Sequence, residues 1–425
     1  MKPTRKISNR RKPRKHCRTR PVPAPWAWLL AGSMLVLLAG CAALPHGREV
    51  GPTEILQAQE EIPEEQLLDV GILVFQSEEV TAERAEEEGT AAKIRQAETH
   101  FMPYHLKLAL QQSSHWGAVH VIPDESASVD VQVKGKIHYS NGEALILDIE
   151  AVDAAGNTWF RKRYKDVATP YGYSDLQRGA KDVFQDLYNA AANDLARFQK
   201  ELTPDEIKTI RTVSQIKFAA DFAPDAFKDY VALDKKGGAA VKRLPAADDP
   251  MMARLLKIRD REFMYVDTLN NYYENFYTVM WPSYEDWRRL NLTERTAIRD
   301  IKKDAALRQL IGVLLVAGAV ALSTSDVNTG GLDIGMVIIG GQVIVDGFNV
   351  SKGAEMHSAA LKELSESFAS EMKPVVLEFE DNRYELTGSA REQFAQWREL
   401  LRRIYYSETG FDPNLGDGSD TAEEP

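Results

Sequence analysis

Hydrophobic positions change period several times along this chain of 425 residues. Val70–Phe75 is an apolar run without alternation, which predicts a strand covered on both faces. The charged, Ala-rich stretch 78–100 predicts helix or mobile chain, and Tyr104–Gln112 predicts a helix that stops near Ser113-Ser114. Trp116–Val121 reads as a strand closed by Pro123. Two strands with a period of two follow, one on Val129, Val131, Val133 and Gly135, the other on Leu145, Leu147 and Ile149. Ser140-Asn141-Gly142 between them predicts a tight hairpin turn with positive φ, and Ala155-Gly156-Asn157 a second turn into a strand over Thr158–Tyr164. A helix from Ser174 to about Lys200 would bury Leu176, Val183, Phe184, Leu187, Tyr188, Leu195 and Phe198 along one stripe.

Beyond residue 200 the period is mostly helical. Thr203-Pro204-Asp205-Glu206 has the residues of a capping box with proline at the first helical position. Asp221–Pro250 is rich in Pro, Gly and Asp and predicts irregular chain, followed by a helix from Met251 to about Met280. Pro282 predicts a break, with Ser283 capping a further helix from Tyr284. Two uncharged runs, Leu310–Ser325 and Ile334–Val345, then predict a glycine-rich helical hairpin, and a helix from Ala354 to about Met372 follows. Strands over Pro374–Glu380 and Tyr384–Thr387 and a helix from Ser389 close the ordered part. The acidic residues after Gly410 predict disorder. The expected fold class is α+β: a small α/β domain over 67–200, a helical region over 201–300, the apolar hairpin and helix over 301–372, a β-hairpin with a C-terminal helix over 373–410, and a tail over 411–425.

The first forty residues belong to none of these elements. Ten Lys or Arg and no acid lie in 1–20, and Trp26–Gly40 carries no charge. A basic segment followed by about fifteen apolar residues has the order of an export signal, and is short of the roughly twenty that a spanning helix needs. Leu38-Ala39-Gly40-Cys41 resembles the lipobox of bacterial lipoproteins. The resemblance implies cleavage between Gly40 and Cys41, a diacylglycerol on the Cys41 thiol and an N-acyl chain on its freed amine; no other cofactor is implied. At about 0.8 kcal/mol per buried CH₂, several chains hold a protein firmly on a membrane. Residues 41–66, with Pro45, Pro52 and Pro63 and the acids from Glu60 to Glu65, then predict a tether. Ala42, where inner-membrane lipoproteins usually carry Asp, implies the periplasmic side of the outer membrane.

Cleavage removes Cys17, so Cys41 is the one cysteine of the mature chain, and a disulfide or thiolate metal site within one subunit is excluded. Loss of residues 1–40, with ten bases and no acid, also takes the formal net charge from −11 to −21. So acidic a body argues against nucleic acid as a partner and against lying flat on anionic lipid.

Within the α/β part, the Val70–Phe75 strand, the His105–Gln112 helix with Trp116 and Val119–Ile122, and Val129–Tyr139 with its following turn resemble the small domain found at the N-terminus of TolB and in CsgG-like outer-membrane lipoproteins. The likeness covers about a quarter of the chain. It implies a domain that mediates protein contacts or subunit packing and is not an enzyme.

The candidate chemistry agrees with a non-catalytic role. His46, His100, His105, His115, His120, His138 and His357 include no pair at i, i+4, and no metalloprotease, nucleophile-elbow or phosphate-loop motif occurs, so no metal and no catalytic residue is assigned. Tyr272, Tyr273, Tyr277, Trp281 and Trp287, interleaved with carboxylates, have the chemistry to stack on glycan rings such as those of peptidoglycan. The spacing 265, 269, 272, 276, 280 equally predicts helix–helix packing. Gly312, Gly318, Gly331, Gly335, Gly340 and Gly341 leave smooth faces. These suit a hairpin buried in the fold, a membrane dip or a seam between copies, and less well a phosphate-cradling loop. The leading expectation is a scaffold or assembly factor that contacts the membrane through its lipid and binds envelope proteins or itself. A peptidoglycan-binding lipoprotein is the alternative, and an envelope hydrolase the third.

Overall fold

The computed structural model describes residues 48–78, 81, 92–173, 181–233, 239–246, 248–323, 375–379 and 382–410. Cys41 and its flanks, the run Ile334–Val345, the helix expected over 354–372 and the tail lie outside the described residues. The elements are β1 (Arg48–Glu49), β2 (Val70–Leu73), β3 (Gln76–Ser77), α1 (Ala92–Ser113), β4 (Val119–Ile122), β5 (Val131–Ser140), β6 (Ala144–Asp153), β7 (Thr158–Val167), α2 (Gln185–Glu201), α3 (Pro204–Phe222) and α4 (Pro224–Phe227). They continue with β8 (Val231–Leu233), β9 (Ala239–Val241), α5 (Pro250–Ser323), β10 (Val375–Phe379), β11 (Asn382–Leu386) and α6 (Ala390–Thr409). The fold is mixed α+β: a mixed sheet with helices, a long helical region, then a strand pair and a last helix.

The sheet order is β1-β7-β6-β5-β2-β4, with β3 also pairing with β5. β2 runs parallel to both neighbours, and β5, β6 and β7 form an antiparallel meander. The unalternating pattern of β2 reflects its place: all four residues are buried. On β5 and β6 the alternate residues Val133, Ile137, Leu147 and Ile149 join the core under α1 and α2. Their neighbours form a charged ladder on the other face, where His138 lies between Glu78 (3.1 Å) and Asp148 (2.6 Å), and Arg163 holds Asp148 through two bonds.

Two turns of the meander differ in how they are made. Gly156 has φ +86°, as expected for Ala155-Gly156-Asn157. The Ser140-Asn141-Gly142 turn forms without positive φ: the Asn141 side chain accepts from the amides of Glu143 and Ala144, each at 2.8 Å. Gly142 is required by close approach instead, because a Cβ there would lie 1.8 Å from the Arg288 carbonyl oxygen.

Both sheet edges are closed. Asn270 of α5 bonds both the amide and the carbonyl of Val121 in β4, standing in for a strand partner. The other edge is closed by residues expected to be a loose tether. β1 pairs parallel with β7, and the chain runs on along α2, where Asp186, Asn189 and Asn193 share one helical face. Asp186 and Asn193 accept from the amides of Thr53 and Leu56, while Asn189 and Asn193 donate to the carbonyls of Thr53 and Glu54. The side-chain amides supply the partners that an extended backbone lacks, so 48–58 is a docked strap.

The helical region departs from expectation at Pro282. α5 is continuous through it for 74 residues. Proline inside a helix costs about 3 kcal/mol, but Phe276, Met280, Tyr284 and Trp287 lie on both sides of it and are all buried in one core. Burial of several large side chains, at about 1.5–3 kcal/mol each, outweighs the lost bond. α5 also extends to Ser323, so Gly312 and Gly318 lie inside one helix with the first half of the expected hairpin. The capping box at Thr203 forms as read, and a second one at Ser389 and Glu392 starts α6, which ends on Gly410 in the left-handed region. A short β8–β9 hairpin occurs where irregular chain was expected. The apolar core does not divide at residue 200: Ile207, Ile210 and five α5 residues belong to the core under α1 and α2, and Val121, Ile122 and Val129 belong to the core formed with α3, α5 and α6.

Candidate functional site: the seams of the long helix

The expected site residues fall into three groups. Gly40, Cys41, Gly331, Gly335, Gly340 and Gly341 lie outside the described residues. Gly312 and Gly318 lie in α5. The aromatic residues Tyr272, Tyr273, Tyr277, Trp281 and Trp287 are brought together, but by packing. Tyr273 and Trp287 are buried, at 1% and 4% exposure, and present no face to a ligand. Tyr277 stacks on Phe101 at 4.6 Å, and Trp281 lies parallel to His105 with ring centroids 5.8 Å apart. Tyr272 is half-buried against the core shared with α6. The helical spacing therefore reports a seam.

That seam also carries polar groups, most of them buried. His105 of α1 is bracketed by Tyr277 at 2.6 Å on Nδ1 and by Gln185 at 2.9 Å on Nε2. Gln185 donates its amide to Asn189, so its oxygen faces the ring. The network assigns the proton to Nε2, with Tyr277 donating to Nδ1. Burial lowers the His105 pKa from its usual range, against the pull of Asp182, so the ring is neutral near pH 7. Two turns away, Glu98 accepts from Tyr284 (2.5 Å), Ser140 (2.6 Å) and Arg95 (2.8 Å). Arg288 donates to Asp182 at 2.6 Å with both side chains almost wholly buried. Burial alone would raise the Asp182 carboxyl, but the Arg288 charge and the hydrogen bonds at Asp182 override it and hold it below the usual range.

Arg288 does a second task by position. Its carbonyl abuts Gly142, and Arg295 and Arg299 reach Glu143, so three turns of α5 grip the β5–β6 hairpin. This group was not singled out from the sequence. The one available signal was Gly142 itself, at a turn that asparagine alone closes.

The other seam of α5 faces α3 and α6. Tyr265, Leu269 and Ile258 pack there against Phe222, Phe394, Trp397 and Leu401. Trp397 is fully buried, with its indole N–H bonded to the Arg261 carbonyl at 3.0 Å. Its ion pair, Arg398 with Glu262 at 2.8 Å, is extended outward by Asp221, which also holds Arg402.

Among the described residues no cluster of three His, Cys, Asp or Glu side chains converges as a metal site would. No helix among them is long and apolar enough to cross a membrane. No protein-family model matches the chain, and neither a curated protein nor a solved structure does.

Proposed function

We propose that this chain is a non-catalytic lipoprotein of the bacterial envelope, anchored through acylated Cys41 on the periplasmic side of the outer membrane. There it acts as a scaffold or assembly factor for envelope proteins or for a second copy of itself. The observation that carries the reading is α5. Its first half is fastened to the body by two buried seams, and the same unbroken helix ends in the uncharged run Leu310–Ser323. A helix that is apolar all round requires cover from protein or lipid, and here it is joined to a body that holds it in a fixed register. The strap supports the anchor reading. With the chain docked from Arg48, residues 42–47 separate it from Cys41, at most roughly 24 Å of extended chain. The protein is thereby kept close to whatever bears the lipid.

Two measurements test this. Palmitate labelling of cells is expected to mark the wild type and to vanish in Cys41→Ala; labelling that persists, or is absent from both, removes the anchor. Crosslinking and native mass analysis of the detergent-extracted protein are expected to find a multimer or a co-extracted envelope protein. A strict monomer with no partner would sink the scaffold. The glycan reading keeps a foothold in the half-exposed Tyr272 and Trp281, and it fails if the wild type does not sediment with peptidoglycan.

A further inference from the structure

A cleft of about 380 Å³ opens where the β4–β5 loop, the end of β6, α3 and α6 meet. Its volume is in the range of small-ligand sites, and its walls come from parts of the chain as far apart as Ser128, Val152, Lys217 and Arg398. Most charged groups on the walls are already engaged. Asp153 accepts from Asn157 and from the Trp159 indole. Asp221 holds Arg398 and Arg402, Arg398 is shared with Glu262, and Glu125 holds Lys134. Lys217 differs. It is half-buried on α3, and Asp153 acts on it only through space, with no direct hydrogen bond or ion pair to the amine among the described residues.

We propose that this cleft binds a small organic monocarboxylate, with the carboxylate on the Lys217 amine and the apolar part of the ligand against the partly exposed Val152 and Ala154. Burial without a direct partner lowers the Lys217 pKa, and an anion in the cleft would reverse this. A single charge fits better than a phosphate dianion, because Glu125, Asp153 and Asp221 on the same walls repel added negative charge. The apolar wall residues favour a ligand with a short alkyl body over acetate. The site is independent of the anchor and of any partner of α5.

The test is calorimetric titration of the detergent-extracted full chain with acetate, butyrate, hexanoate and inorganic phosphate. Saturable binding that strengthens from acetate to hexanoate is expected, at least tenfold weaker in Lys217→Gln and largely kept in Lys217→Arg. Hexanoate should also slow acetylation of Lys217 by acetic anhydride in the wild type, a readout that needs no variant to fold. The proposal is overturned if no carboxylate binds saturably, if phosphate binds as well as hexanoate, if Lys217→Gln binds unchanged, or if hexanoate leaves the acetylation rate unaltered.

Discussion

The two seams of α5 solve the same packing problem with different chemistry. Toward α3 and α6 the helix buries mainly rings and aliphatic chains, closed by Trp397, and its ion pair leads out through Asp221 toward the surface. Toward α1 and the β5–β6 hairpin it encloses a neutral histidine, two tyrosine hydroxyls, a glutamate that accepts three donors and an ion pair cut off from water. Apolar contact is proportional to area and indifferent to small shifts. A buried ion pair contributes little net stability because desolvation consumes most of the attraction, but it is satisfied in one arrangement only. We infer that the first seam supplies attachment and the second supplies register.

Substitutions that remove one partner should separate these roles. Trp397→Ala removes a fully buried ring and is expected to cost about 3–5 kcal/mol in urea unfolding, with no second substitution on α3 or α5 restoring it. Arg288→Met leaves Asp182 charged and buried, and is expected to cost a similar 3–5 kcal/mol or so. Adding Asp182→Leu should recover most of that loss while broadening the pattern of crosslinks between α5 and the β5–β6 hairpin. A double variant as unstable as the single, or one whose crosslinks stay as sharp as in the wild type, breaks the division of roles.

The polar seam should contribute to the acid response through His105, beside His100, whose pKa burial against Tyr273 lowers to about 4, and His115 and His120, whose pKa values burial also lowers. The folded pKa of His105 is lowered below its unfolded value near 6.5, so below that pH the unfolded chain binds more protons than the folded one. Stability is therefore fully present above about pH 6.5 and falls as the pH drops toward the folded pKa, by at most about 1.4 kcal/mol per pH unit. His105→Gln should make that acid limb shallower in urea melts between pH 7.5 and 5, with His100, His115 and His120 supplying the remainder, whereas Trp397→Ala should leave its slope unchanged. Equal slopes in wild type and His105→Gln would assign the acid response elsewhere. A helix cap outside both seams sets the baseline: Thr203→Ala should cost about 1 kcal/mol, without altering the acid limb or the crosslinks. A larger loss would mean that α3 entry is coupled to a seam.

Much of the fold was legible because local rules carried it. The unalternating Val70–Phe75 predicted a strand buried on both faces, the alternation of Val129–Gly135 and of Leu145–Ile149 two strands of a meander, and Thr203-Pro204-Asp205-Glu206 a capped helix start. Pro282 misled because its local cost is real but smaller than the burial of the rings around it. The strap misled because Pro and Glu describe how 41–66 behaves alone, whereas Asp186, Asn189 and Asn193, more than 130 residues further on, give its backbone partners. For the candidate site, the aromatic cluster was found and its packing role was readable from the spacing. Lys217 carried no signal, since an ordinary lysine on α3 is distinguished only by what surrounds it.

The sequence by itself determined the strands β2, β4 to β7, β10 and β11, the starts of α3, α5 and α6, and the α+β class, since period and capping residues are properties of neighbouring positions. Only the tertiary structure decided that α5 runs unbroken, that the strap is docked, that Arg288 meets Asp182 and Gly142, and that Lys217 lines a cleft. Each of these depends on the balance of burial and hydrogen bonding between segments far apart in the chain, and no local pattern encodes that balance.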